Sequence, residues 1–272
     1  MKQSNDAVKL LKSNTKLFLV LFEDHVSVKM KKLDILTEIV SEEFAEVIFI
    51  NVLRYITANE KVARKAFCLL TKLHMFLPRN CETVLTNCLQ SSNQIVVQES
   101  VKSTAIMTLR QTEEQRNKFL AEIYVILLKG YKHCTTIESN CSSLWLLSQN
   151  GELQNCGPMI NIMNTEVENF FDKKTSPVLQ QEVLTTCMRL FLKWPHLFEK
   201  QLKDLFEKIF AMSTFSTIQE QAKIYFLMLK SDLKFAQKCF EPCSPIKSSS
   251  EAQHKITAVG FNSIKVATLH QS

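Results

Sequence analysis

Glycine occurs four times and proline six times in 272 residues, too few turn formers for a fold built on hairpins and tight loops. Long helices are what such a chain can make. Nor does it carry an unbroken apolar run near the roughly 18 residues that a membrane-spanning helix needs. The best stretches, Leu17–Phe22 and Val47–Leu53, are bounded by polar residues. Lys2, Lys9 and Lys12 precede an interrupted apolar segment with no small-residue cleavage site, so no signal peptide is read. A cytoplasmic protein is expected.

Arginine is scarce as well, and the aromatic residues are mostly phenylalanines at helical core spacing. Nucleic-acid binders cluster arginine and interleave it with exposed aromatics, so the formal net charge of +6 does not indicate a nucleic-acid partner. The charge is blocky and mild. Residues 1–32 hold seven lysines against three acids, residues 33–60 six acids against Arg54, and residues 213–272 seven lysines against four acids. Most of this is the charge of solvated helix faces. The densest basic stretch, Lys9, Lys12 and Lys16 followed by Lys29, Lys31 and Lys32, is the candidate for contact with an acidic membrane surface.

Catalytic patterns are missing. There is no nucleophile elbow, glycine-rich phosphate loop or recurring carboxylate pair, and His25, His74 and His196 stand near expected helix ends, where a cap or exposed position is the plain reading. The nine cysteines lack the C-x-x-C or H-x-x-x-H spacing of a tetrahedral metal site. In a reducing compartment they read as small apolar residues, and Cys68, Cys141 and Cys187 fall on apolar helical stripes. Trp145, within LWLL, and Trp194, before Pro195, read as packing residues. The expectation is a protein that is not an enzyme, needs no cofactor and takes no small-molecule substrate.

What is present is a repeat. Related segments begin at Val28 (VKMKKLDILTEI), Val62 (VARKAFCLLTKL), Val96 (VVQESVKSTAIM), Ile137 (IESNCSSLWLLS), Val178 (VLQQEVLTTCMRL) and Ile218 (IQEQAKIYFLML), at intervals of 34, 34, 41, 41 and 40 residues. A period in this range marks helical solenoids. Each segment opens on a β-branched apolar residue and then places apolar residues at helical spacing, as in Leu33, Leu36 and Val40. One further helix fits between each pair: Glu43 to Thr57, Asn80 to Gln90, Glu113 to Lys129, Leu153 to Phe171 and Pro195 to Met212. Start signals are Thr112 with Gln115 and Ser216 with Gln219 as capping boxes, and Ser176 before Pro177. Gly157-Pro158 predicts a short helical turn followed by a longer helix in the fourth spacer.

A single helix pair cannot bury its own apolar face, so neighbours must stack. The expected fold is all-α, a right-handed α-solenoid of stacked helix pairs of the armadillo/HEAT-like kind, over residues 1–240. Residues 241–272, rich in proline and serine at their start, read as a flexible tail or hinge-like linker.

The ordered strings of the repeat resemble the beta-adaptins, the beta-type large subunits of heterotetrameric adaptor complexes. VKMKKLDIL from Val28 is similar to the family's V-K-L-K-K-L-[ED]-I-L, and VARKAFCLLTKL to its V-R-K-A helix. IVVQESV from Ile95 is similar to V-V-Q-E-[AS], and SLWLLSQ from Ser143 stands where adaptins carry tryptophan, two aliphatic residues, glycine and glutamate. VLQQEVLTTCMRLFLKWP from Val178 resembles V-x-L-Q-L-L-T-A-x-x-K-L-F-L-K-x-P, and IYFLMLKSD from Ile224 the tyrosine-rich end of the trunk. Six strings in order, over residues 28 to about 240, carry the likeness. Two departures stand out: Ser148-Gln149 replaces Gly-Glu, and Gln219-Glu220-Gln221 replaces the D-[IL]-R-D-R string.

The resemblance implies a non-catalytic scaffold of a vesicle-coat adaptor complex in intracellular cargo transport, peripheral on Golgi, endosomal or coated-vesicle membranes. Its implied partners are a medium chain, a second large subunit and a small chain. A generic helical-repeat binding scaffold, nuclear-transport or regulatory, is the alternative. Set beside such a trunk, the chain starts about halfway along and reads as a fragment. Its opening apolar stretch, Leu10, Leu11, Leu17, Leu19 and Leu21, is then expected to be helical and uncovered. The repeats between Val96 and Leu229 are expected to hold the complex.

Overall fold

The computed structural model describes residues 14–149, 156–172, 175–211 and 217–240. Among these, every regular element is helical. The six repeat segments lie in α1 (Val26–Ile39), α3 (Glu60–Leu73), α5 (Gln94–Thr108), α7 (Ile137–Gln149), α9 (Pro177–Lys193) and α11 (Thr217–Ser231). The intervening helices are α2 (Ala45–Leu53), α4 (Pro78–Leu89), α6 (Glu113–Gly130), α8 (Cys156–Glu168), α10 (Pro195–Phe210) and α12 (Leu233–Phe240).

The helix starts are written locally. Thr112 and Gln115 form the reciprocal capping box of α6, each side chain bonding the other's backbone N–H, at 3.3 and 3.2 Å. Asn59 caps α3 through the N–H of Val62, Ser176 caps α9 through that of Leu179, and His25 accepts from the N–H of Ser27 at the start of α1. Pro78, Pro177 and Pro195 open α4, α9 and α10, where the missing N–H costs nothing. Gly157-Pro158 behaves in the same way. It sits in the first turn of α8, which runs unbroken to Glu168, and the short helical turn expected before it falls on residues 150–155, outside the described residues.

The described chain forms two compact units. The first runs to Thr108 and includes the turn Lys132–Cys134; the second holds Leu109–Tyr131 and everything from Thr135 onward. In the first, α1, α3 and α5 pack in succession, with α2 and α4 against them. Leu33 and Leu36 of α1 meet Phe67 and Leu70 of α3 and Leu85 of α4 in one buried cluster. Each fully buried leucine or phenylalanine here contributes about 1.5–3 kcal/mol relative to exposure. Ion pairs between residues one repeat apart, Lys65–Asp34 at 2.6 Å and Arg64–Glu99 at 3.3 Å, lie across the same stack. Lys65–Asp34 is an exposed pair, which contributes little energy and mainly marks register, whereas Glu99 of the second pair is buried.

In the second unit α9 is the most enclosed helix, touching α7, α8, α10, α11 and α12. That position explains its content. Val183, Leu184, Cys187, Met188 and Leu190 are buried, as are Thr185 and Thr186, and Thr185 returns its hydroxyl to the Gln181 carbonyl of its own helix. Small hydroxyl residues satisfied by the preceding turn let a helix be covered on several sides without orphaned polar groups. Thr37, Ser148 and Thr108 do the same in α1, α7 and α5.

Several expectations need correction. The stretch at Leu17–Leu21 is not a continuous helix: Thr15–Phe18 make a single 3-10 turn and residues 19–25 are not helical. Leu17, Leu21 and Phe22 are exposed there. The β-branched residue opening each repeat is not equivalent throughout, since Val62, Val96 and Ile218 are buried whereas Val28, Ile137 and Val178 are exposed. Cys68 faces solvent rather than the core. The Ser216 capping box, Leu10, Leu11 and the 241–272 tail lie outside the described residues.

Candidate interaction surface

With no catalytic constellation in the sequence, the question is which faces the helix pairs leave for other molecules. His74 closes α3 and meets Glu82 of α4 at 3.3 Å, a contact that ties two helices together. His25 and His196 stand at the starts of α1 and α10. The recess between α8 and α10, lined by Asn164, Lys200, Asp204 and Lys208 among others, encloses about 150 Å³. Small-molecule sites begin at about 300 Å³ and are mainly apolar. Among the described residues no three potential metal ligands come together, and no helix is long and apolar enough to cross a membrane.

The candidate membrane lysines are placed unequally. Lys32 pairs with Asp24 at 2.7 Å and also donates to the Leu19 carbonyl. Lys29 donates to the Phe22 carbonyl at 2.8 Å and lies 5.4 Å from the Phe22 ring centroid and 5.6 Å from that of Tyr55. Both therefore brace the irregular 19–25 segment against α1, and Asp24 is held below the usual carboxylate range, first by the Lys32 hydrogen bond and then by the Leu21 N–H. Lys31 is exposed. Lys9 and Lys12 lie outside the described residues.

Apolar side chains left uncovered gather on α10, α11 and α12. Phe206 is buried, but its ring stacks on Phe210 at 5.7 Å and meets Phe226 edge-on at 6.0 Å, and these two are 41% and 47% exposed. Leu227, Leu233 and Phe235 add further exposed apolar surface on α11 and α12. Sequence reading placed these phenylalanines in the core, because helical spacing does not distinguish an inner face from an outer one that waits for a partner.

The two departures from the adaptin strings are structurally absorbed. Gln221 donates to Thr185 Oγ1 at 3.1 Å and to the Tyr225 hydroxyl at 2.8 Å, and Gln219 to the Ile209 carbonyl, so a neutral network occupies the place of a charged string. At Ser148-Gln149 the two carbonyls receive Lys193 Nζ at 2.8 and 3.0 Å, so the last residue of α9 caps the end of α7.

Four buried cysteines set an alkaline limit on stability. Burial pushes the thiols of Cys81 and Cys141 up to about 12 and that of Cys88 to about 11, and raises Cys187 further. Nearby Glu82 adds to the shift at Cys81, and Glu182 to that at Cys141. These folded-state values lie above the ordinary 9.0, so the stability they contribute is whole below pH 9 and is lost as pH rises through 11 to 12. Lys193 acts oppositely: burial, then Arg189 and Arg116, lower it to about 8, which raises stability between pH 8 and 10.5. Four thiols outweigh one amine. The urea midpoint is expected to fall from pH 8.5 to pH 11, and a flat or rising midpoint would contradict the buried placement of these thiols.

An all-α arrangement of stacked helix pairs with an uncovered aromatic patch defines a helical-repeat protein. Comparison with known proteins narrows this. Residues 1–233 match the family model of the adaptin N-terminal region, and the chain belongs to the adaptin family. It is 23% identical over 237 residues to the AP-1 complex subunit beta of Dictyostelium discoideum, an alignment covering 84% of this chain and 24% of that protein. It is 22% identical over 232 residues to the AP-1 complex subunit beta-1 of Homo sapiens and to that of Mus musculus, covering 82% of this chain and 23% of each. The chain thus spans about a quarter of the length of these relatives. Among solved structures, an engineered protein shares the fold with a TM-score of 0.55 at 15% identity, over 80% of this chain and 96% of its own.

Proposed function

We propose that this chain is a non-catalytic scaffold segment of a vesicle-coat adaptor complex, serving intracellular protein transport from the cytoplasmic side of Golgi, endosomal or coated-vesicle membranes. The observation that carries the proposal is the family match along residues 1–233, together with relatives that are beta subunits of the AP-1 complex. In this reading the partners are a medium chain, a small chain and a second large subunit, engaged by the repeats between Val96 and Leu229. The exposed aromatics Phe210 and Phe226 lie in that span and suit such contacts, since aromatic side chains concentrate binding energy at protein interfaces. No cofactor, nucleic acid or small-molecule substrate has a part in it. The test is affinity purification of the tagged chain from its own cells: adaptor medium and small chains in the eluate support the proposal, and importin-type or unrelated regulatory partners in their place replace it with the general helical-repeat scaffold.

Membrane contact, in the same proposal, is made through the complex and, on this chain, through the edge bearing Lys29, Lys31 and Lys32. Lysines near an anionic surface contribute about 1 kcal/mol each. Because Lys29 and Lys32 are engaged with the 19–25 segment, Lys31→Gln is expected to reduce sedimentation with phosphatidylserine liposomes more per charge than the other two changes. Sedimentation unaltered by all three together removes this edge from the proposal.

A further inference from the structure

Gln201 lies in the middle of α10 and is only 5% exposed. Its Nε2 donates to Asn164 Oδ1 of α8 at 2.9 Å, but its Oε1 accepts from no donor among the described residues. Both residues line the recess between α8 and α10, so the amide that carries the orphaned oxygen stands in the wall of that recess. A buried carbonyl oxygen without a donor is costly, and a fold keeps one where another group can supply the bond. Two carboxylates line the same recess: Glu168, the last residue of α8, is exposed, and Asp204, three residues on from Gln201, is half-buried. Neither forms an ion pair among the described residues. The cations beside them do not answer this need. Lys208 Nζ donates to the Val167 carbonyl at 2.8 Å and so closes the C-terminal end of α8. Lys200 is exposed and, on its long flexible stem, keeps its ammonium in water. What the recess has left to offer is a set of acceptors.

We propose that the recess between α8 and α10 receives an arginine side chain presented by a partner protein. Its volume of about 150 Å³ lies below the range of small-molecule sites and suits a single side chain. A guanidinium has donors in a planar fork and no acceptor, which is the complement of an orphaned carbonyl oxygen with carboxylates on the same rim. One edge of the fork serves a carboxylate while the other N–H groups reach Gln201 Oε1. A lysine ammonium is a point charge and serves fewer acceptors at once. An anion is disfavoured, because it would meet both carboxylates and the Gln201 oxygen with Lys208 already engaged. The inference stands on the recess alone and does not rest on the adaptor reading.

The experiment is thermal unfolding of the full chain, kept dilute, with the tripeptide acetyl-Gly-Arg-Gly-amide titrated at constant ionic strength beside the same tripeptide carrying lysine or norleucine. The arginine peptide is expected to raise the midpoint in a saturable way, the lysine peptide to raise it less, and the norleucine peptide to leave it where it is. Glu168→Gln combined with Asp204→Asn is expected to weaken the apparent affinity for the arginine peptide roughly tenfold. Glu122→Gln, an exposed change on α6 of the same unit, is expected to leave that affinity intact. Gln201→Met is expected to abolish the response; should this variant not fold, the double charge variant, changed at positions that are not buried, decides alone. A midpoint that answers the lysine or norleucine peptide as strongly as the arginine peptide, no response to any of the three, or an arginine response unchanged in the double charge variant overturns the proposal.

Discussion

Replacing Glu182 by alanine is expected to destabilise the second unit by about 3–5 kcal/mol, the cost of leaving one partner of a buried ion pair uncompensated. Glu182 is 1% exposed, pairs with Arg189 at 3.1 Å and is bonded by the Thr186 hydroxyl at 3.3 Å. Burial raises its carboxyl above the usual range, and the Arg189 charge and hydrogen bond oppose that rise. Loss of the carboxylate strands Arg189 as a buried charge without its ion-pair partner. Replacing both partners with methionine is expected to cost less than the single change, because the desolvation of both charges disappears with them. Urea unfolding of the three variants measures this. A single-variant loss under about 0.5 kcal/mol, the range of an ordinary surface substitution, would show that Glu182 is not enclosed as described.

Leu184→Ala and Leu190→Ala are each expected to cost about 2–5 kcal/mol, the lost transfer energy of the side chain plus the cavity left behind. Both leucines are fully buried on α9, the helix that touches five others. Enclosure on several sides limits how far neighbours can relax into the space, which places the expected cost in the upper half of that range. Leu227→Ala on α11, whose side chain is 61% exposed, is the internal contrast and should change stability by about 0.5 kcal/mol or less. Equal losses at buried and exposed positions in denaturant titrations would mean that the register of α9 and α11 is wrong.

The helices were legible in the sequence because few glycines and prolines interrupt them and because their starts carry specific chemistry. Thr112 with Gln115, and Ser176 with Pro177, are local signals, and the structure uses both as such. The repeat was legible for a related reason: contacts recur at its period, from Lys65–Asp34, 31 residues apart, to Thr185–Tyr225, 40 apart. What periodicity cannot show is which apolar positions lack a neighbour. Val62 and Val178 open equivalent segments, yet one is buried and the other exposed; Cys68 and Phe226 fit an apolar stripe and still face outward.

The central claim is that these helix pairs form a scaffold completed by another adaptor chain. It is tested most directly by size-exclusion chromatography with light scattering on the full chain, expressed alone and together with an adaptor medium chain. The account predicts self-association or poor solubility alone, with the exposed aromatics of α10 and α11 unprotected, and a single complex with the mass of one copy of each partner on co-expression. A chain that is monodisperse and monomeric alone, and that elutes unchanged when the medium chain is present, would contradict it.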